Sequence, residues 1–218
     1  MRRTGWRRVY DLPERVIPAA LLAADYDDAT CITELVRRAA MHLGVGTEAD
    51  LADYYRLLRG QVRRVIEPAG LVPVQVPGWP AAWADPAALA RLGAGIRGRH
   101  RTTLLSPFDS LVFFRQRAER IFGLVHRLEA YTPQHLRVHG YFAMPLLAGG
   151  RIVGRVDPAR DGSTLVARQV SVEPGGVAAL AVALREAASW VGARDARVEA
   201  LTPPIARPEL EHALRQVE

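Results

Sequence analysis

His135 and His139 stand four residues apart, the spacing at which a helix aims two imidazoles at one metal ion. Here the pair flanks Arg137 and runs into RVHGYFAMPLL, which reads as a strand. No cysteine or carboxylate joins the two at ligand spacing, so no metal is expected. Asp25, Asp27 and Asp28 form a second acidic candidate. Acidic residues and Thr30 just before an apolar-periodic run describe a helix start, where they satisfy free N–H groups at the positive end of the dipole. The single cysteine, Cys31, excludes a disulfide framework and a multi-cysteine zinc site, and is expected as a small buried hydrophobe. No nucleophile elbow, phosphate loop or dinucleotide fingerprint occurs. The hydrolase, NTPase and oxidoreductase classes those motifs mark are unsupported, and no cofactor is expected.

What remains is arginine. The chain carries 29 basic against 23 acidic side chains, a formal charge of +6, and every basic residue is arginine. Arginine forks onto phosphates and guanine edges. A GC-rich genome also favours arginine codons, so the missing lysines have two readings, while the charge excess favours an acidic partner. The candidate contacts are Arg59, Gln61, Arg63 and Arg64 on one predicted helix, Arg99 and Arg101 in the densest basic run, Arg115 and Arg117 on a second helix, Arg137, and Arg151 and Arg155 on a predicted hairpin. The alternative for each is the solvated face of an ordinary element.

The elements that must position these residues follow from periodicity. At 49% hydrophobic and 24% charged, the chain can bury a core. GWRRVYDL reads as a short strand and the proline-bounded segment after it as a linker. Ile32, Leu35, Val36, Ala39, Ala40 and Leu43 mark a helix ending at Gly44. Thr47 with Asp50 predicts a capped helix burying Leu51, Ala52 and Tyr55. A turn near 57–60 leads to a helix over 59–69 that buries Val62, Val65 and Ile66 and leaves Arg59, Gln61, Arg63 and Arg64 outside. Gly70 stops it and LVPVQV begins a wing, with Trp79 and Trp83 packed on it. This is the layout of a winged helix, whose second helix reads the major groove. A short helix is expected over 86–92.

Leu104 to Tyr141 joins this part to a β-rich one. Ser106-Pro107 ends an extended segment, and Asp109 or Ser110 caps a helix. Leu111, Phe114, Ala118, Ile121 and Phe122 are expected on its inner face, with Arg115, Arg117 and Arg120 elsewhere. After Gly123, LVHRLEAYTP and RVHGYFAMPLL read as strands. Gly149-Gly150 and Asp161-Gly162 are turn signals, VAALAVALREAASW an amphipathic helix, RVEAL a strand and PELEHALRQV a terminal helix. Asp109 is expected as a helix cap and Asp157 as a turn or arginine partner. The expected class is α+β, a winged helix-turn-helix followed by a β-rich partial barrel with packed helices. The boundaries are 1–24, 25–95 and 96–218.

Several blocks in order carry a resemblance: SPFD, FFRQRAERIFG, RLEAYTP, YFAMPLL and GRIVGRVD. From about Trp6 onward the chain resembles the C-terminal portion of the YcaQ-like winged-helix DNA glycosylases. The resemblance implies hydrolysis of the N-glycosidic bond of alkylated bases, unhooking of interstrand crosslinks, and double-stranded DNA as partner. It also implies that 1–24 is the remnant of a preceding winged helix with its linker. In that family the water-holding role belongs to Gln-x-Asp or Gln-x-Gln. None of Gln61, Gln75, Gln116, Gln134, Gln169 and Gln216 is followed two residues later by Asp or Gln. The expectation is therefore a member without its N-terminal catalytic half, catalytic residues unassigned; the alternative is a stand-alone regulatory winged-helix protein without catalysis. No apolar run is long enough to span a membrane and no signal-peptide core follows the basic N-terminus, so a cytoplasmic location is expected.

Overall fold

The computed structural model describes residues 2–5, 7–95, 101–204 and 207–216. The chain divides into two compact units, Met1–Leu89 and Ala90–Glu218.

The first unit opens with strands β1 (Arg2–Thr4) and β2 (Arg7–Val9), paired antiparallel with Arg2 opposite Val9. The expected strand therefore finds its partner within the chain. The expected linker contains two short helices, α1 (Pro13–Val16) and α2 (Ala19–Leu22), neither burying a residue. Helix α3 (Asp28–Leu43) starts where the acidic cluster predicts: Asp27 accepts from Thr30 N at 2.8 Å, and Gly44 ends it at φ 72. Thr47 N donates to the Asp50 carboxylate and Asp50 N to the Thr47 hydroxyl, the reciprocal cap that starts α4 (Glu48–Tyr55). Helix α5 (Arg59–Val65) follows after a left-handed turn at Arg56. Val36, Ala39, Ala40, Leu51, Val62 and Ile66 form the core beneath a three-stranded sheet of β3 (Val45–Thr47), β5 (Ala82–Ala84) and β4 (Val72–Val74). Trp83 packs against that core, and α6 (Pro86–Gly93) follows the sheet. Cys31 is exposed, against the expected burial, because the first turn of α3 turns it away from the Val36–Ala40 stripe.

The second unit is built on one five-stranded sheet in the order β10-β9-β8-β7-β6. Its strands are β6 (Thr103–Leu104), β7 (Met144–Ala148), β8 (Arg151–Asp161), β9 (Thr164–Val172) and β10 (Asp195–Thr202). Gly149 and Gly150, at φ 56 and 77, close the β7–β8 hairpin as their sequence predicts. Among the described strands only β10 runs parallel to its neighbour, β9, reached through helix α9 (Val177–Trp190). Val156, Val170 and Leu201 lie in register across three strands and pack with Leu180 and Leu184 of α9 and Leu210 of α10 (Arg207–Gln216). Burying these side chains at about 1.5–3 kcal/mol each fixes which sheet face is inside.

Between β6 and β7 the structure departs from expectation. The single helix predicted there is two, α7 (Ser110–Phe113) and α8 (Arg115–Phe122), broken at Phe114, whose ψ of 100 is not helical. Asp109 does cap α7, accepting from Leu111 N at 2.9 Å. Ile121 is exposed and Arg117 is buried at 4% exposure, the reverse of the expected faces. LVHRLEAYTP forms no strand, and in RVHGYFAMPLL only Met144 onward does; Gln134–Leu136 is a 3-10 turn. The reason lies in two carboxylates. Glu129 turns inward and accepts from Val138 N at 2.9 Å and His139 N at 2.8 Å. Asp157 on β8 accepts from Tyr141 N and Phe142 N, both at 2.9 Å. Amides that a ladder would use are spent on side chains. Asp157 thus orders a loop, and among the described residues no arginine pairs with it.

Gly140 lies between these amides at φ 106, where a Cβ would fall on the Asp157 carboxylate. Gly140→Ala is expected to cost roughly 3–5 kcal/mol. Gly162→Ala, at φ 55 with open space around it, should cost about 1–2 kcal/mol. Urea midpoints decide; equal losses would mean that Asp157 does not hold the loop.

Candidate nucleic-acid interface

In the first unit α5 buries Val62 and Val65 and turns its arginines out. Arg63 is held bidentate by Glu48, Nε to Oε2 at 2.8 Å and Nη2 to Oε1 at 3.0 Å, and Arg59 approaches the same carboxylate at 3.3 Å. The bond from Arg63 holds the Glu48 carboxyl below its ordinary value against the opposing effect of burial. Arg64 is exposed and without a partner among the described residues. Gln61 is half-buried and accepts from Leu58 N at 2.9 Å, so it closes the N-terminus of α5 where a free base-reading side chain was expected.

In the second unit the predicted residues have unlike surroundings. Arg99 lies outside the described residues. Arg101 is exposed and bonded to Glu186 of α9. Arg115 is half-buried and donates to Val112 O at 2.9 Å and Pro107 O at 3.5 Å, so it braces the α7–α8 corner; burial lowers its pKa. The burial of Arg117 puts it out of reach of a duplex. Arg137 donates to Thr132 O at 2.8 Å and lies 5.0 Å from the centroid of the Tyr141 ring, a cation–π contact. Arg151 is exposed, 3.4 Å from Glu173. Arg155 is half-buried, donating to Val125 O at 2.7 Å and to His139 Nε2.

The second unit also holds an open cleft of about 640 Å³, with Phe122 to Val125 on one wall and His139, Arg155, Ser171, Glu173 and Thr202 among the others. Beside Arg155 lies His126, 5% exposed, with neither ring nitrogen bonded. Burial, then the positive charges of Arg115 and Arg155, pushes its pKa down to about 4. His139 is lowered by burial and Arg155, with Glu129 opposing. Burial works against charge on Glu129 too, but the amides of His139 and Val138 outweigh it and its pKa falls. His135, on the 3-10 turn, is exposed. Among the described residues no three His, Cys, Asp or Glu side chains group as metal ligands. Spacing could not reveal the Arg155–His139–Glu129 cluster, because its members come from a strand and an irregular loop, Arg155 meeting the His139 ring through side chains and Glu129 meeting His139 through its backbone amide.

The chain is a mixed α+β protein with Arg64 of α5 and Arg151 of β8 exposed. Comparison with known proteins gives its family. The chain matches the family described as "DNA glycosylase AlkZ-like" over residues 1–216, and it belongs to that family. Its fold is similar to that of the Streptomyces sahachiroi DNA glycosylase AlkZ, with a TM-score of 0.54 at 18% identity, over 83% of this chain and 50% of that one. The chain thus spans half the length of that protein. No helix among the described residues is long and apolar enough to cross a membrane.

His126 carries a pH prediction. Its folded pKa of about 4 lies below the ordinary 6.5, so its contribution is complete above pH 6.5 and is lost as pH falls toward 4, when the unfolded chain takes the proton first. The loss is at most roughly 3 kcal/mol. His126→Gln should be less stable at pH 7 but flatter between pH 6.5 and 4.5 in urea unfolding. Parallel pH profiles would contradict the assignment.

Proposed function

We propose that this chain binds double-stranded DNA as a member of its family, through α5 in the first unit and the β7–β8 hairpin in the second. One observation carries the reading. Helix α5 is buried along Val62 and Val65, follows the capped α4 after a short turn, precedes the β4–β5 strands, and keeps Arg59, Arg63 and Arg64 exposed. That order supports a winged helix over 25–95, with α5 as the helix that enters the major groove. Residues 96–218 are read as the β-rich, partial-barrel domain. Arg151, Arg101, Arg137 and Arg155 extend the basic surface there, while Arg115 and Arg117 act on structure. The exposed Tyr131, Leu136 and Val138 beside Arg137 offer apolar surface to unpaired bases.

The parent chemistry, hydrolysis of the N-glycosidic bond of alkylated or crosslinked bases, follows for this chain as a proposal from its family. Its glutamines form no Gln-x-Asp or Gln-x-Gln, so DNA engagement is the activity its own residues support, in the cytoplasm and without a nucleotide cofactor. A regulatory protein without catalysis is the alternative, and preference for an undamaged specific sequence would favour it.

Arg151→Ala and Arg155→Ala are each expected to weaken duplex binding several-fold and to reduce the slope of log K against log salt by about one. Glu48→Gln, which releases Arg63 and Arg59, should tighten binding several-fold and steepen that slope. Fluorescence anisotropy with an intact duplex at 50–200 mM salt reads both effects. Unchanged affinity and slope in all three variants would refute the reading.

A further inference from the structure

The two faces of the second unit's sheet differ in kind. Val156, Val170 and Leu201 form a row buried against α9. The next row, Arg155, Ser171 and Thr202, is in register across the same strands, and alternation turns it to the other face. All three line the open cleft, and His139 joins them from the loop held by Glu129 and Asp157. A guanidinium, an imidazole and two hydroxyl-bearing side chains therefore converge on one space that solvent reaches.

We propose that this cleft is a phosphate-binding site, with Arg155 and His139 gripping the phosphate oxygens and the hydroxyls of Ser171 and Thr202 along its floor. Arg155 spends two of its five N–H donors, on Val125 O and on His139 Nε2, and has no other partner among the described residues. In this state the imidazole accepts from Arg155, which makes it neutral. Once protonated, Nε2 becomes a donor facing a donor, and an oxyanion seated between them accepts from both.

The charges around the pair favour this. Arg115 and Arg155 are fixed cations, and His126 lies buried between their fields without a bond to either ring nitrogen. Of the nearby carboxylates, Glu129 is occupied by the amides of Val138 and His139, and Glu173 on the cleft's edge faces Arg151 at 3.4 Å. Burial first, and the neighbouring positive charge second, disfavour the charged form of both imidazoles, and a bound phosphate offsets the second of these. The groups that face His139 are Arg155, Glu129 and His126, so binding strengthens as pH falls through the lowered pKa of His139.

The proposal rests on the DNA-binding reading only in one of its two sources of phosphate, the internal phosphodiester of a duplex. The other source is a free or terminal phosphate. The test is NMR of the histidine ring protons in the full wild-type chain, titrated with inorganic phosphate at constant ionic strength. Saturable shifts of His139 are expected, with His126 following, a rise of roughly 0.5–1 in the pKa of His139, and loss of the response in Arg155→Gln and weakening in Ser171→Ala. Competition by a duplex without end phosphates assigns the site to phosphodiesters. Competition confined to a 5′-phosphorylated oligonucleotide assigns it to terminal phosphate. Phosphate that leaves His139 unmoved in wild type, or moves it equally in a folded Arg155→Gln, overturns the proposal. Duplex binding by anisotropy with His139 unmoved rejects this site alone, whereas a phosphate response without duplex binding rejects the DNA reading alone.

Discussion

Two buried carboxylates set the shape of the second unit. Glu129 and Asp157, at 8% and 6% exposure, each accept from two consecutive backbone amides of the 138–142 segment. Taking a carboxylate out of water costs several kcal/mol, and charge-assisted bonds at about 1.5–3 kcal/mol apiece offset that cost only when several act together. Here the four amides come from one short stretch and leave it little freedom. Gln169 adds a bond to Val138 O from the neighbouring strand. The result is an irregular loop whose backbone amides are bonded as fully as those of a regular element, and from it hang His139, Tyr141 and the support for Arg155.

The sheet beneath works because its two faces serve different ends. One is closed by α9 and α10 through a cluster of aliphatic side chains, with Arg207 of α10 bonded to the carbonyls of Val198 and Glu199 on β10. The other is shared by a small cluster under α7 and α8, including Val112, Ala118 and Leu124, and by the polar cleft beside it. Alternation puts Leu146 on the α9 side and Leu147 on the other, and a shift in register between β7 and β8 at Leu146/Leu147 brings Ile152 opposite Leu147, where both join the small cluster.

Arginine, the only basic residue type, does several jobs in this molecule. Arg115 ties helix ends together, Arg117 is buried, Arg137 stacks on Tyr141, Arg63 and Arg59 share Glu48, and Arg64 faces solvent. A planar fork with five donors can brace carbonyls as well as bind phosphate. Counting arginines therefore measures the charge of the surface and overstates the surface available to DNA.

Sequence alone determined whatever depends on short-range chemistry. The caps at Asp27, Thr47 and Asp109, the glycine stops, the Gly149-Gly150 hairpin, the apolar stripes of α3, α5 and α9 and the family resemblance were all legible, because each is written in residues within a turn or two of one another. Tertiary structure decided the rest. The burial of Arg117, the loss of one expected strand and the shortening of another depend on contacts distant in the chain, whereas the cap that Gln61 makes on Leu58 N, the exposure of Cys31 and the break at Phe114 are local features that the apolar period does not encode. Asp157 reaches amides 15 and 16 residues before it, and Glu129 reaches amides 9 and 10 after it. Backbone donors carry no sequence signature, so the cleft they help to build could be seen only once the chain had closed on itself.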